Sequence, residues 1–194
     1  MEDAEDNRVK QTLVLLAEKA CEEGLDEFLL IGGNAVIAHG VPRFTRDVDF
    51  VVPESSRTTW RLFLERLGFP FFHGTSAFEQ YKDPADVRPR VDLMIVDEPT
   101  WGKLRSDAWD FDLGNGLNTK VASPQHIIAM KLKACLAEHR REDAVDWSDI
   151  VELVMIHQFD PESDANFSDF VLHFGGEMLH RKLIDEIAER RKRG

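Results

Sequence analysis

The residues most able to do chemistry in this chain are acids. In TRDVDFVVP, Asp47 and Asp49 fall on one face of a period-two pattern, about 6.6 Å apart along an extended strand, with Val48, Phe50 and Val52 on the other face. Asp92 occupies the same kind of position in PRVDLMIV, where Val91, Leu93 and Ile95 form the apolar reverse face. An Asp-x-Asp pair alone says little: 19 Asp in 194 residues supply about two such pairs by chance, and the chain has two, the other being Asp110-Phe111-Asp112, which with the following Gly-Asn-Gly reads as a turn between strands. The surroundings of Asp47 and Asp49 separate them from that background. If the two apolar-backed strands are neighbours, three carboxylates converge, and each pair repels by roughly 4 kcal/mol at about 4 Å and an effective dielectric near 20. Divalent cations bridging the carboxylates and a polyphosphate would relieve this. So would a salt-bridge cluster with Arg43, Arg46 or Arg90, the last two residues from Asp92 on the same face.

A second chemical element lies about a dozen residues upstream. FLLIGGNAVIAHG reads as a short apolar strand over 28–31, a Gly32-Gly33 turn and a short helix closing at Gly40. Glycine lets backbone N–H groups approach an anion closely, and Asn34 offers a side-chain donor. A plain tight turn is the simpler reading of the glycines alone. A phosphate cradle next to paired carboxylates is what polyphosphate chemistry requires.

These groups must be positioned by a fold, and the pattern gives its outline. Residues 7–23 place Val9, Leu13, Leu16, Ala17 and Ala20 at helical spacing, with Gly24 as the stop. A helix over 55–67 and short extended pieces, FPFF and FEQYKD, precede the Asp92 strand. From Ser123-Pro124 onward the chain reads as helix over 124–139, 144–158, 164–174 and 177–193. The expected architecture is α+β: a mixed sheet with flanking helices over 1–122, and a helical region over 123–194 packed on it. No run approaches the roughly 20 apolar residues of a membrane span, and MEDAEDNRVK lacks the order of a signal peptide. Cys21 and Cys135 read as reduced core thiols, so a cytoplasmic location is expected. The net charge of −12 argues against nonspecific nucleic-acid binding.

LLIGGNAVIAHGVPRFTRDVDFVV resembles the signature of the nucleotidyltransferase superfamily typified by DNA polymerase β. It is similar in particular to the small bacterial nucleotidyltransferases that include type IV toxin–antitoxin (abortive-infection) toxins. Gly32, Gly33, Asn34, His39, Gly40, Arg43, Thr45, Asp47 and Asp49 match that pattern, and Asp92 is the natural third carboxylate. The match covers about 24 residues closely and 1–135 loosely. IIAMKLKACLAEHRREDAVDWSDIVEL extends it, with Lys131 matching a family lysine and Asp146 and Asp149 an acidic pair. Read from the pattern alone, Lys131 lies on an apolar stripe, where it snorkels or reaches a cleft, and the two acids either hold it or Arg140 in place or lie on a solvated face.

The resemblance implies Mg²⁺-dependent transfer of a nucleoside monophosphate from an NTP to an acceptor hydroxyl, with two ions expected and Mn²⁺ as the alternative metal. Asp47, Asp49 and Asp92 would be the metal ligands and catalytic acids, with Asp92 also a candidate general base. Gly32, Gly33, Asn34, Arg46 and Lys131 would bind the nucleotide, and Arg43, Thr45, Asp146 and Asp149 would support the site. The acceptor is left open among a small molecule, tRNA and protein, and an antitoxin partner is one implication. The competing expectation is a non-catalytic relative that binds nucleotide or protein. His39 reads as a structural histidine, and the basic ERRKRG end as a complement to a helix C-terminus.

Overall fold

The computed structural model describes residues 2–137 and 143–193, so Arg140 lies outside the described residues. The chain divides into two compact units: Met1–Ala38 with Pro42–Ser123, and His39–Val41 with Pro124–Gly194.

The first unit is built on a seven-stranded mixed sheet. Helix α1 (Glu2–Glu22) buries Val9, Leu13, Leu16, Ala17 and Ala20, the residues its 3.6-residue spacing aligns. Strand β1 (Leu29–Leu30) leads directly into α2 (Gly32–Ala38), and β2 (Asp47–Pro53) follows. A 3₁₀ turn at Glu54–Ser56 opens α3 (Arg57–Arg66). Next come β3 (Phe71–Gly74), β4 (Phe78–Tyr81), β5 (Arg90–Val96), α4 (Glu98–Ser106), β6 (Trp109–Asp112) and β7 (Asn118–Val121). The strand order is β3-β4-β5-β2-β1-β7-β6. Strand β2 runs parallel to β5 and antiparallel to β1, while β1 runs parallel to β7.

The centre of the sheet is apolar on both sides, as expected of a strand with neighbours on each edge and cover on both faces. Val48, Phe50, Val51 and Val52 are completely buried, and the Phe50 ring meets Phe28 edge-on at 5.2 Å between centroids. Trp60, Phe63 and Leu64 of α3 are also buried. Burial of this kind contributes roughly 1.5–3 kcal/mol per large side chain, which fixes β2 and β5 rigidly behind their polar ends.

The second unit is helical: α5 (Pro124–Leu136), α6 (Asp143–Ile156) and α7 (Ala165–Arg193). Gly176, at φ 69° and ψ 177°, interrupts α7, where the sequence separates a helix ending at 174 from one starting at 177.

Several expectations are corrected. Cys21 is exposed and Cys135 only half-buried, so Cys21 is not a core thiol. Helix α4 and strand β7 were not legible in the pattern. Asp110 and Asp112 lie on β6, and the turn after it is Gly114-Asn115-Gly116, all three at positive φ. Among the described residues, no helix is long and apolar enough to cross a membrane.

Candidate active site

The parallel pairing of β2 with β5 sets Asp47 opposite Arg90 and Asp49 opposite Asp92. The two apolar-backed strands are therefore neighbours, and their polar faces coincide. Asp47 and Asp49 are partly exposed, while Asp92 is 7% exposed.

The Gly-Gly turn is pressed against this acidic edge. Gly32 adopts φ +62°, and a Cβ there would lie 2.2 Å from Asp49 Oδ2 and 2.5 Å from its carboxyl carbon. Only glycine satisfies both the left-handed backbone and the close approach. A Cβ on Gly33 would lie 2.4 Å from Thr45 Oγ1 and 3.4 Å from the Arg43 guanidinium carbon. Asn34 Nδ2 donates to the Asp47 carbonyl oxygen at 2.8 Å, and the Ile31 amide donates to that of Asp49 at 3.0 Å. The turn and the acid strand are thus one bonded assembly. One Asn34 N–H that the sequence offered to a ligand holds the turn to β2.

Arg90 is a counter-ion to two of the three acids. Its Nη2 donates to Asp47 Oδ2 at 2.8 Å, and its Nε stands 3.0 Å from Asp92 Oδ1. The second contact is between opposite charges but is poorly aimed: both atoms are buried without a hydrogen-bond partner. Gln80 on β4 reaches Asp92 Oδ2 at a marginal 3.5 Å. Burial pushes the Asp92 carboxyl up to about 6; Arg90 opposes this, and the Asp47 charge adds to it.

Among the described residues, no three ligating side chains are gathered closely enough to hold a metal as they stand. The donor chemistry nevertheless suits a hard divalent cation: three carboxylates on adjacent register positions, one with a buried oxygen lacking a donor. Arg90 places a positive charge at this edge.

The remaining candidates fall into place around this edge or in the other unit. Arg43 Nε donates to the Phe44 carbonyl at 3.0 Å, and Thr45 is buried beside Gly33. Arg46 is exposed, its guanidinium 5.8 Å from the Phe44 ring centroid. In the second unit, buried Lys131 contacts Asp146 Oδ1 at 2.8 Å and Asp149 Oδ2 at 2.6 Å. His39 packs edge-on against His157 at 5.2 Å between centroids, within the same unit. The sequence reading missed Gln80 as an Asp92 neighbour; strand alternation in FEQYKD was the available signal.

No family model matches this chain, and no curated protein matches it. Solved structures do. A nucleotidyltransferase-like antigenic protein from Paracoccidioides brasiliensis aligns with a TM-score of 0.57 and 18% identity, covering 93% of this chain and 94% of its own. The solution structure of the antibiotic-resistance factor ANT(2″)-Ia gives a TM-score of 0.60 and 16% identity, over 93% and 96% of the two chains. The crystal structure of ANT(2″)-Ia with adenylyl-2″-tobramycin gives 0.53 and 18%, over 93% and 97%. The chain therefore has the nucleotidyltransferase fold.

Proposed function

We propose that the protein is a metal-dependent nucleotidyltransferase, which moves a nucleoside monophosphate from an NTP to an acceptor hydroxyl and releases pyrophosphate. The observation that carries this reading is the bonded assembly of turn and acid strand, in which the Gly32 backbone lies directly against Asp49 with no room for a side chain. A turn packed this closely sets its backbone groups beside the carboxylates, where a polyphosphate would bridge the two. The likeness in fold to adenylyl-transferring ANT(2″)-Ia supports it.

In this reading Asp47, Asp49 and Asp92 hold the metal. Two Mg²⁺ ions, with Mn²⁺ as the alternative, would neutralise charge developing on the phosphate oxygens. Gly32, Gly33 and Asn34 position the β- and γ-phosphates, with Arg46 beside them and Arg43 and Thr45 buttressing the turn. Lys131 is the phosphate ligand supplied by the resemblance; its partners in the fold are Asp146 and Asp149. The acceptor oxygen attacks the α-phosphorus, the bond from that phosphorus to the α,β-bridging oxygen breaks, and pyrophosphate leaves with the electron pair. Asp92, the candidate general base, takes the hydroxyl proton.

Arg90 favours a second reading. An arginine bridging Asp47 and Asp92 is also what a non-catalytic relative would use to neutralise the site permanently. A thermal-shift panel separates the two: each NTP with Mg²⁺, Mn²⁺ or EDTA, on wild type and Asp47→Asn/Asp49→Asn. Ligand at about 100 times its dissociation constant stabilises by roughly 2.7 kcal/mol, or several degrees. The transferase reading expects a metal-dependent shift that the double variant lacks; no shift with any NTP favours the permanent ion-pair cluster.

A further inference from the structure

A cavity of about 370 Å³ opens beside Asp47, where β2 and β5 begin. Its walls carry five cations, Arg8, Arg46, Lys82, Arg88 and Arg90, against two acids, Asp47 and Asp86. The whole chain has the opposite balance, 24 basic to 36 acidic residues. The inversion occurs at a concave site of small-ligand size on the edge of the carboxylate assembly.

The cations divide by what holds them. Arg88 is structural: its guanidinium donates to the Leu67 and Gly68 carbonyls at 2.9 and 2.8 Å and to Asp83 at 3.2 Å. Arg90 belongs to Asp47 and Asp92. Lys82 meets Asp86 only across an exposed 3.3 Å contact, which holds it weakly. Exposed Arg8 from α1 and exposed Arg46 face the same space. Phe72 on the wall is 63% exposed, with the Lys82 ammonium 5.9 Å from its ring centroid. A ring face beside cations suits a ligand with both a flat or apolar body and a negative group.

We propose that this cavity receives the acceptor, and that the acceptor is a small molecule bearing a phosphate or equivalent anionic group. The assignment rests on the transferase reading above and deepens it. Arg8 and Lys82 hold the anionic group, Phe72 lies against the body of the molecule, and the acceptor hydroxyl is directed to the Asp47 edge. A polycationic acceptor such as the aminoglycoside in the ANT(2″)-Ia complex meets like charge here.

The test uses minimal probes in EDTA, so that a metal-bound NTP plays no part. Phenyl phosphate, phenol and benzylamine are titrated calorimetrically into the full chain at low ionic strength, with wild type, Arg8→Gln/Lys82→Gln and Phe72→Ala compared. The proposal expects phenyl phosphate to bind wild type, binding to weaken about 10-fold or more in Arg8→Gln/Lys82→Gln and several-fold in Phe72→Ala, and phenol and benzylamine to bind far more weakly. Unchanged phenyl phosphate affinity in Arg8→Gln/Lys82→Gln, or benzylamine binding as tightly as phenyl phosphate, overturns it. Wild type is titrated separately with NTP and Mg²⁺. Failure there removes the transferase reading by itself, whereas failure of phenyl phosphate removes only the acceptor class.

Discussion

At the scale of single residues, the account depends on three carboxylates and one glycine. Asp49→Asn keeps the shape and removes the charge, so turnover is expected to fall on the order of 10³-fold while the circular dichroism spectrum is retained. Gly32→Ala forces a methyl group within 2.2 Å of Asp49 Oδ2 at a left-handed backbone position. It is expected to destabilise by about 2–4 kcal/mol and to erase the metal-dependent NTP shift, as read by denaturant unfolding and thermal shift. Asp92 gives a pH signature. Its carboxyl stands at about 6 in the fold against an ordinary 3.8, so the fold favours its neutral form. Below about pH 4 the group is protonated folded or unfolded and has no effect; above pH 6 the fold carries a charge it disfavours, at up to about 3 kcal/mol. Without metal, Asp92→Asn should therefore gain stability over wild type as pH rises from 4 to 7; a gap that stays constant contradicts the assignment. The acid face and the Gly-Gly turn were legible because strand alternation and glycine spacing are local. Arg90's bridging of two acids and the placement of Gln80 depend on strand register, which a single sequence does not specify.

At the scale of elements, the parallel β2–β5 register is what makes a site from two separate motifs, since it sets Asp49 opposite Asp92. A one-residue slip would send Asp92 to the apolar face. In the helical unit, Lys131 joins α5 to α6 through Asp146 and Asp149, all three buried. Lys131→Met removes the cation that meets two buried carboxylates and is expected to cost about 3–5 kcal/mol in urea unfolding, much of it recovered in Lys131→Met/Asp146→Asn/Asp149→Asn. Failure of the triple variant to recover would mean that Lys131 stabilises chiefly by packing. The long helices and the break near Gly176 followed from periodicity and glycine. Helix α4 was missed although its cap is in the sequence: Asp97 accepts from the Thr100 amide at 2.8 Å, and Pro99 lies in the first turn. Its amphipathic signal is diluted by Gly102 and charged residues. Strand β7 was missed because its four residues, NTKV, are too few to establish alternation.

At the scale of the whole molecule, charge is the governing quantity. A chain of net charge −12 repels a polyanion overall, while the wall of the cavity beside Asp47 carries five cations against two acids. Nonspecific duplex DNA binding is therefore expected to be weaker than about 10⁻⁴ M at physiological salt, measured by fluorescence anisotropy. The α+β architecture follows from the switch from period-two to helical patterning near residue 123. The central claim concerns which phosphorus is attacked. Wild type and Asp49→Asn are incubated with Mg²⁺, an ultrafiltered small-molecule extract and NTP labelled at either the α- or the γ-phosphorus. The account predicts that α-label alone is transferred to acceptor-derived products while γ-label leaves in equimolar pyrophosphate, and that Asp49→Asn abolishes both. Transfer of γ-label, or equal α-label transfer by the two proteins, would contradict it.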